Sequence, residues 1–209
     1  MMRKINLFLK RVFDITSSFI GLIILSPLFL IIAVLIKIDT RGPIIFKQSR
    51  LGKRGKEFKI WKFRTMINNV EGKGTGVFTN VSDPRITRMG KFLRRTSLDE
   101  IPQLFNVLFG SMSVVGPRPP VTYHPYKIDN YPEEYVKRFD MKPGITGYAQ
   151  VIGRNTLTWE ERFELDKKYI SKFNLILDMV IIIKTFFVFS NKKDIYDLDN
   201  KRKKEKNDV

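Results

Sequence analysis

The stretch from Ile15 to Ile36 carries no charged side chain, with Asp14 before it and Lys37 after it. About 22 residues of helix reach roughly 30 Å, the thickness of a bilayer's hydrocarbon core. The run is too long and too apolar for the core of a signal peptide, and no small-residue cleavage site follows it. It is read as a membrane helix at the N-terminal end of the chain. Ser26-Pro27 lies near its middle. A proline there deletes one backbone hydrogen bond and crowds the preceding turn, so a kink or break is expected, with the Ser26 hydroxyl able to satisfy the freed carbonyl.

Both flanks of the run are basic. Arg3, Lys4, Lys10 and Arg11 precede it, and Lys37, Arg41, Lys47, Arg50, Lys53, Arg54 and Lys56 follow. Positive residues stay on the cytoplasmic side. A helix that enters, breaks at Ser26-Pro27 and returns to the same face satisfies both flanks; a kinked spanning helix is the alternative, and the residues alone leave both open. A second apolar stretch, Leu175 to Phe189, contains Asp178 and Lys184. It is too short and too charged to cross, and reads as an interfacial or core helix.

The whole chain is as basic as these flanks. It has 38 Lys+Arg against 21 Asp+Glu, a formal charge of +17, with no cysteine and one histidine, His124. Disulfides, thiol catalysis, zinc fingers and multi-histidine metal sites are thereby excluded. The positive charge points to anionic partners: nucleic acid, a membrane surface or phosphate-bearing substrates. At 43% hydrophobic residues the chain is not a disordered basic tail.

Beyond the apolar run, Pro43–Phe46 and Phe58–Phe63 read as the strands of a hairpin closed by Gly52-Lys53-Arg54-Gly55. Residues 68–84, rich in Asn, Gly and Thr, read as a flexible loop, and Ile86–Leu93 as a helix. Leu98–Phe109 has apolar residues at helical spacing, with Ser97 and Glu100 placed as a capping box and Pro102 in the first turn. Trp159–Phe173 reads as an amphipathic helix, and 191–209 as a polar tail.

Asp99-Glu100 is the sharpest chemical pair. Two carboxylates at a helix start can simply stabilise that start. Here Arg94 and Arg95 lie just upstream and Arg118 sits in a Pro-Gly loop downstream. Carboxylates among arginines can also share a phosphate and a divalent cation with them. Lys59, Lys62 and Arg64 on the hairpin, interleaved with Trp61 and Phe63, offer phosphate contacts or a solvated basic strand. Arg154, between Gly153 and Asn155, is a candidate phosphate clamp or an ordinary loop arginine. Asp178 needs a partner if buried and is read as structural. His124 is given no role.

These residues fall into a familiar order. Pro27 in a membrane hairpin, Lys62-Phe63-Arg64-Thr65-Met66, Asp83-Pro84-Arg85-Ile86-Thr87-Arg88 and Thr96-Ser97-Leu98-Asp99-Glu100-Ile101-Pro102-Gln103-Leu104 resemble the bacterial sugar transferases, specifically the small monotopic phosphoglycosyl transferases. Met112-Ser113-Val114-Val115-Gly116-Pro117-Arg118-Pro119, Lys142-Pro143-Gly144-Ile145-Thr146-Gly147 and Gly153-Arg154-Asn155 with Trp159-Glu160 continue the likeness, which covers roughly residues 8 to 187. Ser111 departs from it, standing where many members carry an acidic residue, and so does Tyr148, where Leu is common.

The resemblance implies a mainly α fold with a small β-hairpin (α+β), seated in the bacterial cytoplasmic membrane and facing the cytoplasm. Residues 1–40 would form the re-entrant hairpin, broken at Ser26 and Pro27; residues 41–190 would form the catalytic domain and 191–209 the tail. It implies transfer of a sugar-1-phosphate from a UDP-sugar to undecaprenyl phosphate with release of UMP. Asp99 would be the nucleophile and a ligand of Mg²⁺, Glu100 its acid/base or orienting partner, and Lys62, Arg94, Arg118 and Arg154 the phosphate contacts. Anionic phospholipid and downstream glycosyltransferases are expected partners; nucleic acid is not. The rival readings are a membrane-tethered nucleic-acid-binding protein, which explains the charge but not the paired carboxylates, and a scaffold in which Asp99 and Glu100 only cap a helix.

Overall fold

A computed structural model of the protein describes residues 2–67, 83–153 and 156–190. The loop expected at 68–84 lies outside them up to residue 82, as do Arg154 and the tail at 191–209.

Helix α1 spans Met2–Asp39 and includes Pro27. In place of two helices separated by a break, helical structure runs through the proline. Pro27 has no N–H for the Ile23 carbonyl, and the Ser26 hydroxyl donates to that oxygen at 2.8 Å instead. Only 11% of the helix's most apolar window is buried in the protein, unlike the core helix of a soluble domain. Ile24, Leu30 and Ile38 stand about two-thirds exposed or more (68%, 68% and 77%).

Along its middle, α1 lays Gly21 beside Leu104 and Phe29 against the Phe63 and Phe105 rings, and its polar contacts to the rest of the chain lie toward both ends. Near its start, Lys10 pairs with Asp178 at 2.6 Å, both side chains buried. Arg11 donates to the Val107 and Leu108 carbonyls at 2.7 and 2.9 Å. Asp14 accepts from the Ser113 hydroxyl and the Val114 N–H. Near its end, Ile32 and Ile36 pack into a cluster with Phe63 and Leu93. There the Arg64 guanidinium donates to the Thr40 and Arg41 carbonyls at 2.6 and 2.8 Å and closes the helix C-terminus. Arg64 is therefore a cap on α1, not the phosphate contact its position on the hairpin suggested.

Strands β1 (Ile45–Leu51) and β2 (Glu57–Phe63) pair antiparallel from Ile45 opposite Phe63 to Leu51 opposite Glu57. The turn between them places Arg54 and Gly55 at φ 58° and 71°. The first strand starts later than expected and runs five residues further. Pro43 cannot donate to a ladder, whereas Lys47–Leu51 all find partners on β2.

Helix α2 (Arg88–Thr96) begins at Thr87, whose hydroxyl accepts from the Gly90 N–H. A Cβ on Gly90 would collide with the Thr65 carbonyl, so only glycine lets α2 lie this close to the end of the hairpin. Ser97 then turns the chain in the left-handed region, φ 58°, and its N–H caps the Arg94 carbonyl. A serine so occupied cannot form the expected box with Glu100, and makes no side-chain cap. Leu98–Glu100 is a 3-10 turn that continues through helical Ile101 and Pro102 into α3 (Gln103–Leu108).

Strand β3 (Ser113–Val115) pairs parallel with β4 (Gly144–Thr146), with the short α4 (Glu133–Val136) between them in sequence. Helices α5 (Tyr148–Ile152), α6 (Trp159–Lys172) and α7 (Leu175–Ser190) follow. The capping box of this protein is at Thr158 and Glu161, opening α6. Tyr169 and Ile170 of α6 join Val115, Met141 and Ile181 in one core cluster. Asp178 is structural as expected, with lysine rather than arginine as its partner, and Tyr169 adds a hydrogen bond at 2.8 Å.

Asp178→Ala would strand Lys10 in this core and is expected to cost about 3–5 kcal/mol. The readout is the thermal midpoint of detergent-solubilised protein. The Lys10→Met/Asp178→Leu double variant is expected to recover most of the loss; a single variant with an unchanged midpoint would refute the pair's role in seating α1.

Candidate active site

The 3-10 turn holding Asp99 and Glu100 is pinned from three sides. Leu98 and Ile101 pack on the Ile32, Phe63 and Leu93 cluster, which fixes the turn against α1 and β2. Strand β2 delivers Lys62, whose ammonium lies 2.6 Å from Glu100 Oε1 and 3.9 Å from Asp99 Oδ2. The Pro-rich loop after β3 delivers Arg118, which grips both Glu100 oxygens at 2.8 and 3.4 Å. That loop is itself held: Arg138 donates to the Arg118 carbonyl and Arg50 to the Pro119 carbonyl. Arg138 is buried and also bonds Asp166 and Tyr131. Arg94, in the last turn of α2, donates to Thr65 at 2.8 Å.

The two carboxylates live in different fields. Burial raises the Glu100 carboxyl, but Arg118 and Lys62 outweigh it and hold it well below the usual carboxylate range. Asp99 goes the other way. Burial raises its pKa, Lys62 opposes, and the negative charge of Glu100 raises it further. Adjacent acids pushed apart in this way are the arrangement by which sites assign different roles to like groups. The Asp99 carboxylate also accepts no hydrogen bond among the described residues, and so does not cap the helix by bonding its backbone N–H groups.

Beside this turn lies a cavity of about 450 Å³, its lining including Arg94, Glu100, Arg118, Trp159, Arg162 and Thr185. Burial and the neighbouring Arg118 lower the Arg50 pKa to about 10. Crowded arginines of this kind favour an anionic occupant.

Of the residues singled out from sequence, Asp99, Glu100, Lys62, Arg94 and Arg118 come together here, and Arg154 lies outside the described residues. Lys59 does not join them; it bonds Ser49 on the exposed face of the hairpin. Trp61 is committed to Phe105, Phe109 and the Lys47 ammonium. His124 accepts from the Trp159 indole at 3.1 Å. Sequence reasoning missed Arg50, Arg138 and Asp166. Asp166 left a trace: it lies on the buried stripe of α6 with Phe163 and Ile170, where a carboxylate needs a cation.

Glu100→Gln removes the charge that Lys62 and Arg118 share. Pyrophosphate is then expected to bind roughly tenfold more tightly at low salt, by calorimetric titration of detergent-solubilised protein. Equal or weaker binding would show that the carboxylate does not compete for those cations.

A sequence profile of the family described as bacterial sugar transferase matches residues 5–192. The UDP-glucose:undecaprenyl-phosphate glucose-1-phosphate transferase of Klebsiella pneumoniae is 46% identical over 188 residues, 88% of this chain and 40% of that protein. The uncharacterized sugar transferase EpsL of Bacillus subtilis (strain 168) is 41% identical over 177 residues, 85% of each chain. The UDP-N-acetylgalactosamine-undecaprenyl-phosphate N-acetylgalactosaminephosphotransferase of Aeromonas hydrophila is 41% identical over 181 residues, 85% of this chain and 43% of that protein. The chain thus spans about two fifths of the first and third of these relatives and most of the second. Because the profile runs from α1 through α7, it takes in every element that builds the Asp99 site, and the chain belongs to the bacterial sugar transferase family.

Proposed function

We propose that the protein moves a sugar-1-phosphate from a UDP-sugar to undecaprenyl phosphate, releasing UMP, as the membrane step that starts glycan assembly. The observation that carries this reading is the Asp99 carboxylate, desolvated and without a hydrogen bond among the described residues, beside Lys62 and within the field of Arg94 and Arg118. The names of the relatives support the donor and acceptor classes, with glucose in one and N-acetylgalactosamine in another.

In the proposed reaction an Asp99 oxygen attacks the phosphorus that bears the sugar. The bond from that phosphorus to the bridging oxygen breaks, UMP leaves with the electron pair, and the sugar phosphate stays on the carboxylate as a mixed anhydride. An oxygen of undecaprenyl phosphate then attacks the same phosphorus and expels the carboxylate, giving the polyprenyl diphosphate sugar. A difficult transfer is split into two easier ones. Lys62 and Arg118, with Arg94 and Arg154 as the family's further contacts, neutralise phosphate charge. Glu100 is held so far down that it is a weak base, which favours the role of orienting those two cations over acid/base work.

Magnesium fits the donor set. No group of three His, Cys, Asp or Glu side chains stands together among the described residues, but Mg²⁺ is commonly held by one or two carboxylates together with substrate phosphates. Asp99 would hold it, and when bound it supplies charge neutralisation of the diphosphate.

The proposed seat is monotopic, in the cytoplasmic leaflet of the inner membrane. Supporting it, Lys10 and Asp14 near one end of α1 and Ile36 near the other contact the same folded body, with Ser26 and Pro27 in the apolar middle. A straight crossing helix would carry Lys10 and Ile36 about 40 Å apart, on opposite sides. The anionic leaflet suits the chain's charge of +17.

Asp99→Asn is expected to lower turnover by on the order of 10⁴-fold, read as UMP release from a panel of UDP-sugars with undecaprenyl phosphate and Mg²⁺. Wild-type enzyme given donor alone should gain the mass of one sugar phosphate on Asp99; no adduct under conditions of confirmed turnover would sink the covalent route. For the seat, Lys4→Cys and Lys53→Cys are expected to label from the same membrane side, and opposite-side labelling would mean a spanning helix.

A further inference from the structure

A second concentration of positive charge lies at the far end of α3, about 16 Å along the helical stretch from Asp99. Arg11 reaches it from α1 and is fixed there by its two bonds to the Val107 and Leu108 carbonyls. Lys142 reaches it from the residue before Pro143, whose carbonyl is bonded to Ser113 N–H. Both converge on Gly110, where the chain takes φ +90°. A Cβ there would lie 3.1 Å from an Arg11 guanidinium nitrogen and 3.3 Å from the Lys142 ammonium, so the glycine keeps the space between the cations open.

We propose that Arg11, Lys142 and the Gly110 backbone form a binding site for the headgroup phosphate of an anionic phospholipid, separate from the Asp99 site. The two buried charges flanking Arg11 on α1 have partners: Lys10 has Asp178, and Asp14 spends one oxygen on Ser113 and Val114. Lys142 is half-buried and has no acceptor among the described residues. Burial and then the Arg11 charge depress its pKa, with Asp14 opposing and Lys53 adding to the depression. Two cations converging on one open spot, neither of them hydrogen-bonded to a carboxylate among the described residues, leave room for an anion, and a phosphate oxygen accepts well from both an ammonium and a guanidinium.

The surroundings specify a lipid. Phe109, next in the chain, is 70% exposed, and Phe8 and Val12 on α1 are 68% and 47% exposed. The charge-free run begins at Ile15, one turn beyond Arg11. Cations flanked by bare apolar side chains at the start of a membrane helix sit at headgroup depth. The acceptor lipid's phosphate has to meet Asp99, so this site takes a different lipid. Its occupant would hold the Arg11 end of α1 and the α3 end against the leaflet.

The inference rests on the membrane seat proposed above, and the test lets the two fail separately. Binding of full-length protein to phosphatidylcholine vesicles reports the seat; the gain on adding phosphatidylglycerol reports the site. Native mass spectrometry from detergent is expected to show one retained phosphatidylglycerol on wild type. Lys142→Glu should lose it and bind phosphatidylglycerol vesicles about five- to tenfold more weakly. Lys4→Gln, which removes one exposed charge from the same end of α1, should keep it. Retention by Lys142→Glu, equal loss in Lys4→Gln, or displacement of the lipid from wild type by millimolar inorganic phosphate would each overturn the proposal.

Discussion

The Lys10–Asp178 ion pair, with the Asp14 bonds to β3 beside it, determines how the molecule is put together. A charge removed from water must be matched, because an unmatched one costs several kcal/mol. Lys10 and Asp14 precede the apolar run, and both are buried. Their partners lie in α7 and β3, more than 95 residues away in sequence. The start of α1 is therefore brought onto the body formed by the end of the chain, while Ile32, Ile36 and the Arg64 cap hold its other end to the hairpin. Replacing such pairs by apolar residues is often neutral for stability. Their contribution here is to register, since they decide which surface of the domain α1 covers.

The candidate site applies the same rule in reverse. Glu100 has two cations within 2.8 Å, whereas Asp99 has no hydrogen bond among the described residues and meets Lys62 at 3.9 Å, with Arg94 and Arg118 acting on it through charge alone. Satisfying one carboxylate sets the geometry of Lys62 and Arg118, and its neighbour is left without a hydrogen bond among the described residues, as the nucleophile proposed above requires. The supports behind this pair are structural: Arg138 and Asp166 hold the Arg118 loop from the core, and the left-handed turn at Ser97 presents both acids together. At the other end of α3, Lys142 repeats the pattern with the opposite sign, a half-buried cation with no hydrogen-bond acceptor among the described residues.

Much of this is legible in short stretches of the chain. The apolar run, the hairpin turn at residues 52–55 and the α6 period are local signals, carried by residues close in sequence, and each lies where expected. The Ser26 hydroxyl takes the carbonyl that Pro27 leaves free, which follows from adjacency alone. The Ser97 capping box fails for a reason that local pattern cannot show. Ser97 is held in the left-handed region that closes α2 on the Arg94 carbonyl, whereas an N-cap residue needs extended backbone. Arg64 misleads for a similar reason: a basic residue in a basic strand looks like surface until the end of α1 is set against it.

The sequence by itself marked the long apolar helix, the hairpin turn and α6, and named Asp99, Glu100, Lys62, Arg94 and Arg118 as candidates, because periodicity, charge and proline chemistry act over a few residues. The pairing of β3 with β4, far apart in the chain, left no such local mark. Tertiary structure alone decided which charges are spent and which are left open. Lys59, Lys62 and Arg64 lie close together along the chain with nothing to separate them, yet one faces water, one reaches Glu100 and one closes a helix. A charge acquires its role from what lies within a few ångströms, and only long-range packing brings those neighbours into place.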